Sequence, residues 1–353
     1  MNKLLLTLGV TALSPLALAK PVIVTSIKPV SMVVAAITGD RADIEQIVSN
    51  SASPHDFALR PSDLRKIANA DTVVWVGESL ERFLEKPLEN AGKEDSSIEW
   101  LALNGMNLHN FAEGHEDHDE HEDHEGHDHD KHHDDHDEHE GHDHDKHEDH
   151  EGHDHDKHHD DHDEHEGHDH DEHHEGHEGH DHSGVDPHVW LSPENAKVLA
   201  QAVTKRLSEI DAKNAAYYQT NLANFEQGLT AKDAQIRAAL NKVNTVPYIV
   251  FHDGYSYFER HYGLQHAGEI TVSPERKPGA KKVAELRHEI EENHVQCVFS
   301  EPQFSPAIVK ALLDGSSVNT APLDPLGGDI KLDSNAYYRF LDSLSGQFLS
   351  CLG

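Results

Sequence analysis

Thirty-five of the 353 residues are histidine, and they fall into two populations. Twenty-seven lie between residues 113 and 182, interleaved with aspartate and glutamate; eight are dispersed over the rest of the chain. Neutral imidazole is a good ligand for zinc and other late divalent metals, and carboxylates add harder oxygen donors. Both populations could therefore take up a cation, by different physics. The dense one repeats "GHDHDKH" at 126–132, 141–147 and 152–158. His127, His129, His132, His142, His144, His153 and His155 offer many interchangeable pairs and triples. None is held in place in advance, so each binding event must also order chain. Several weak zinc sites are expected there.

The dispersed histidines are distinguished by position. His55 follows the apolar run "IEQIV" in the loop "SNSASPHDF"; His188 stands in "DPHVW", ahead of a capped helix; His252 ends "VPYIVFH". Asp324 ends "SVNTAPLD" and opens "LDPLGG". All four occupy loops bounded by Pro or Gly at the carboxyl ends of strand-like runs, where open α/β sheets place their ligand sites. His109 precedes the dense segment, His261 and His288 fall in helical patterns, His294 closes a helix and His266 lies in a strand; all five read as surface or capping residues. Glu269 also closes a strand, but a solvated or ion-paired role suits it better.

The elements that must position these residues alternate. Short apolar runs at Val22–Ile27 and Thr72–Gly77 read as buried strands. Pro29–Ile37, "RPSDLRKIANAD" and "SLERFLEKPLENA" read as helices, the second opened by Pro61 with Asp63 in its first turn. The pattern stops at residues 113–182, whose apolar content is too low to offset the entropy lost on ordering; a disordered insertion is expected. It resumes at Ser192-Pro193-Glu194, a helix N-cap with Pro at the first turn. Asn214–Val243 then carries about 45 Å of continuous helix, long enough to be a rigid spacer. A second strand–helix series runs from Val246 to Leu352. The expected architecture is α/β: two βα lobes with parallel sheets joined by one long helix, with a cleft between them. The expected segments are a leader at 1–19, a first lobe at 20–212, the linking helix at 213–244 and a second lobe at 245–353.

Composition limits the function. The formal net charge is −37, and residues 113–182 hold three Lys against 33 carboxylates, or −30 of it. No basic concentration suggests nucleic acid. Lys3, the apolar run to Leu18 and the Ala17-Leu18-Ala19 site form a secretory signal, cut after Ala19. In an oxidising compartment Cys297 and Cys351 can pair, or remain two buried thiols. No His-Glu-x-x-His or Gly-x-Ser-x-Gly motif points to an enzyme.

"PHDFALRPSDL", "DPHVWLSPENA", "VFHDGYSYFERHYGL", "FSEPQF" and "PLDPLGGDI" together resemble, in order, the metal-binding solute-binding proteins of bacterial ABC importers. The likeness extends over the mature chain and is strongest with the periplasmic zinc carriers of Gram-negative bacteria. It implies that His55, His188 and His252 are the imidazole ligands, with Zn²⁺ as transported cargo at one tight site. It implies a cognate inner-membrane permease with its ATPase, and a Cys297–Cys351 disulfide. A monomer is expected. Manganese carriers of this family place a carboxylate where this chain has His252. Some zinc carriers place Glu before the first ligand, where this chain has Pro54. Asp324 matches the carboxylate ligand of other members and is the first choice for a fourth ligand, with water the second. Manganese or iron carriage is the alternative within the family. A zinc store or metalloenzyme lies further off.

Overall fold

The computed structural model describes residues 19–111, 184–271, 274 and 277–353. Most of the expected leader, and the insertion with all seven accessory histidines, lie outside the described residues.

The first lobe runs β1 (Val22–Thr25), α1 (Lys28–Thr38), β2 (Asp43–Gln46), α2 (Pro61–Asn69), β3 (Thr72–Trp75), α3 (Glu78–Glu81), α4 (Glu85–Asn90), β4 (Ile98–Glu99) and α5 (Pro193–Ile210). α6 (Ala215–Leu240) leads to the second lobe. That lobe runs β5 (Tyr248–His252), α7 (Ser256–Tyr262), β6 (Gly268–Thr271), α8 (Ala280–Glu292), β7 (Cys297–Ser300), α9 (Ala307–Leu312), β8 (Asn319–Pro322) and α10 (Ala336–Leu352). Each lobe has one four-stranded parallel sheet, ordered β2-β1-β3-β4 and β6-β5-β7-β8. The two sheets repeat one winding, and in both the first strand of the lobe lies inside the sheet.

The central strands β3 and β5 are buried along their whole length, which explains their unbroken apolar runs. α5 starts as its sequence indicates: Pro193 sits in the first turn, and Ser192 Oγ accepts the Asn195 N–H at 3.2 Å. The stretch "SLERFLEKPLENA" differs from the single helix expected. It breaks into α3, a 3₁₀ turn at Arg82–Leu84 and α4, with Pro87 just past the break. Proline has no N–H to give back to the preceding turn and crowds its carbonyl, so one continuous helix cannot pass through.

α6 is shorter than expected and is not an isolated rod. Its 26 residues span about 39 Å. Tyr218, Phe225, Leu229, Ile236 and Leu240 form a buried stripe at steps of seven and four. The helix packs on α1 and α5 of the first lobe and on α10 of the second. One continuous apolar core therefore runs from Ile23 in β1 through α1, α5 and α6 to Phe348 in α10. A smaller core, with Phe251, Val298, Leu286 and Ile290, lies under α8 and α9. Cys297 on β7 and Cys351 on α10 form a disulfide with Cα atoms 6.0 Å apart, fastening the last helix to its sheet. Among the described residues no helix is long and apolar enough to cross a membrane.

Candidate metal centre

Three loops converge between the lobes. The β2–α2 loop supplies His55, whose N–H donates to Ser53 Oγ at 3.2 Å. His188 precedes a 3₁₀ turn, Val189–Leu191, that leads into α5. His252 is the last residue of β5. All three are buried, at 7 %, 1 % and 3 % exposure, and they form the one group among the described residues able to hold a metal ion. His188 Nε2 stands 3.3 Å from His55 Nε2 and 3.1 Å from His252 Nε2. Nitrogens bound at 2.0–2.1 Å to a tetrahedral zinc must lie about 3.3–3.4 Å apart. The observed spacing is close to that.

Two of the rings are oriented from behind. His188 Nδ1 donates to Asp186 Oδ1 at 2.6 Å, and His252 Nδ1 donates to Glu301 Oε1 at 2.6 Å. A carboxylate accepts only, so these bonds fix the proton on Nδ1 and leave the Nε2 lone pair facing the centre. Asp186 is fully buried and is held by the His188 N–H at 2.9 Å and by Ser256 Oγ. Burial works against its charge, but the His188 side chain and these donors prevail and keep its carboxyl below the usual range. Burial likewise works against protonated His252, yet the Glu301 carboxylate outweighs it and raises the imidazole above its ordinary value.

The backbone closes the remaining side. A Cβ at Gly254 would stand 2.4 Å from His252 Nε2 and 2.9 Å from His188 Nε2. Only glycine leaves room for an ion between them. The cavity itself is about 10 Å³, roughly the room of one water-sized sphere. Pro54, Trp190, Phe304, Pro325 and Leu326 line its apolar part. The space beside the three imidazoles suits a single atomic ion.

Asp324 lies outside the group of three. Its Oδ1 accepts Gln303 Nε2 at 2.8 Å and the Leu326 N–H at 3.0 Å, and its Oδ2 accepts the Gly328 N–H at 2.8 Å. Both oxygens are engaged in the 324–328 turn. Glu269 faces Lys282 at 3.7 Å and His266 at 3.9 Å. His109 stacks on Tyr257, His261 bonds Asp233 at 2.6 Å, and His288 faces Glu292 at 3.2 Å.

Sequence reasoning passed over Asp186, Glu301, Gly254 and Gln303. Asp186 was within reach, because Asp-x-His lets a carboxylate turn back on the imidazole two residues on. Glu301 requires the sheet order. β5 and β7 pair with Tyr248 opposite Cys297, and the same offset carries His252 to Glu301.

Comparison with known proteins agrees with this geometry. The family model described as zinc-uptake complex component A, periplasmic (ZnuA), matches residues 23–351. The high-affinity zinc uptake system protein ZnuA of Haemophilus influenzae is 40 % identical over 354 residues, covering 100 % of this chain and 99 % of that protein. Its Yersinia pestis counterpart is 35 % identical over 339 residues, covering 96 % and 93 %. A crystal structure of ZnuA has a TM-score of 0.67 at 21 % identity, covering 95 % of this chain and 100 % of that one. The fold is thus that of the metal-binding solute-binding proteins. Within that class, this chain belongs to the ZnuA family of zinc-uptake components.

Proposed function

We propose that this protein is the periplasmic solute-binding component of a zinc ABC importer. It captures Zn²⁺ at His55, His188 and His252 and hands it to an inner-membrane permease driven by an ATPase. The observation that carries this reading is the pair of Nε2 separations, 3.1 and 3.3 Å, in a one-ion cavity. The chain is a carrier and not a catalyst, exported by cleavage after Ala19 in a Gram-negative cell and acting as a monomer. Three imidazoles and no carboxylate in the cluster favour zinc over manganese. Water completes the coordination while Asp324 stays in its turn. The histidines of residues 113–182 supply the additional weak sites that raise local zinc concentration.

The test is calorimetric titration of wild type beside His55→Ala, His188→Ala and His252→Ala. Wild type should bind one zinc tightly, and each variant should lose that phase. Retention of the tight phase in all three variants would overturn the assignment. Competition with Mn²⁺ separates zinc carriage from manganese carriage.

A further inference from the structure

Gln303 touches both the ion cavity and the carboxylate that stays out of it. It follows β7 and lines the cavity with Pro325 and Leu326. Its Nε2 donates to Asp324 Oδ1 at 2.8 Å. Because a carboxylate cannot donate, this bond fixes the amide orientation and turns Oε1 the other way. Oε1 is buried and has no hydrogen-bond partner within the described chain. A buried acceptor in that condition is costly unless something donates to it.

The geometry points to Gln303 as the residue that sets the fourth ligand and hence the metal preference. One end of its amide holds Asp324 in the 324–328 turn, and the other offers a neutral acceptor for a water on the ion. The proposal rests on the three-imidazole zinc site above. The chemistry follows from donor types. A hard ion such as Mn²⁺ gains more from a carboxylate than Zn²⁺ does, while imidazoles already satisfy zinc. Glu301 lines the cavity but is engaged behind His252, so a site that also keeps the Asp324 carboxylate tied to Gln303 and to backbone amides discriminates against manganese. The tie is local: Asp324 also accepts from Leu326 and Gly328, and its own N–H donates to Gln347 Oε1 at 2.9 Å.

The experiment measures zinc and manganese affinity by competition in full-length wild type, Gln303→Leu, Gln303→Leu with Asp324→Asn, and Gln347→Ala, with thermal melting to confirm folding. Gln303→Leu should free Asp324 to enter the cavity and shrink the zinc-to-manganese affinity ratio by roughly tenfold or more. Adding Asp324→Asn should abolish the manganese gain. Gln347→Ala loosens the turn without touching the carboxylate bonds and should leave the ratio unchanged. An unchanged ratio in Gln303→Leu, or an equal gain in Gln347→Ala, would overturn the proposal. The separate result that wild type lacks a tight zinc site, or that His55→Ala, His188→Ala and His252→Ala all keep it, would instead overturn the underlying site.

Discussion

Two of the three clustered imidazoles are defined by what stands behind them. His188 and His252 present Nε2 because Asp186 and Glu301 hold Nδ1–H. Replacing either carboxylate by its amide, Asp186→Asn or Glu301→Gln, should weaken zinc binding roughly 10–100-fold while one equivalent still binds; calorimetry measures both. Gly254→Ala should be more severe, since its methyl would meet both Nε2 atoms. Loss of the tight phase, with a somewhat lowered but still cooperative melt of the metal-free protein, is the expected outcome. The pH dependence follows from His252. Its raised value means that protons compete with zinc from above the ordinary histidine range. Metal needs the neutral ring, so apparent affinity should fall as pH falls through neutrality, by up to about tenfold per unit for each proton displaced. Titrations between pH 5 and 8 that gave a constant affinity would contradict this.

At the scale of elements, two fastenings hold the second lobe. The Cys297–Cys351 bridge closes a loop with a sequence separation of 54. In the chain-entropy model such a bridge stabilises by about 4 kcal/mol. Reduction, or paired substitution by serine, should lower stability by that order in denaturant titration and leave the ion loops in place. The second fastening is His266, whose Nδ1 donates to Glu259 of α7 at 2.8 Å. Burial alone would push this imidazole down, but Glu259 prevails and holds it at about 9. The folded value exceeds the unfolded one of about 6.5, so the stabilisation is complete below about pH 6.5 and is lost as pH rises towards 9. Melting curves of wild type and His266→Asn should therefore converge over that interval.

The elements were largely legible in the sequence because burial on both sheet faces leaves unbroken apolar runs, and because caps such as Ser192-Pro193 mark helix starts. What was not legible depended on partners far along the chain. Strand order decides that Glu301 stands behind His252. The 324–328 turn and Gln303 decide that Asp324, just past a strand end, spends its oxygens on two backbone amides and a side-chain amide. Pro87 stands in the sequence as a helix breaker, but the apolar spacing around it is helical on both sides.

For the whole molecule, the shared core joins both lobes through α1, α6 and α10. Zinc should raise the melting temperature by mass action, about 4 kcal/mol at a thousandfold excess over Kd. A chain lacking residues 114–182 should show the same shift, since no residue of the three-histidine group comes from that segment. Failure of that shortened chain to respond to zinc would place the tight site elsewhere.

Trp190 gives this arrangement an optical consequence. Its ring lies 5.1 Å from that of His188 and lines the ion cavity, while its indole N–H donates to the Pro325 carbonyl of the opposite lobe at 2.8 Å. A fluorophore so placed feels both the charge that arrives beside it and any parting of the two loops it joins. Its emission should therefore change with occupancy against the constant background of Trp75 and Trp100, so that capture and surrender of the ion could be timed in stopped flow without a dye.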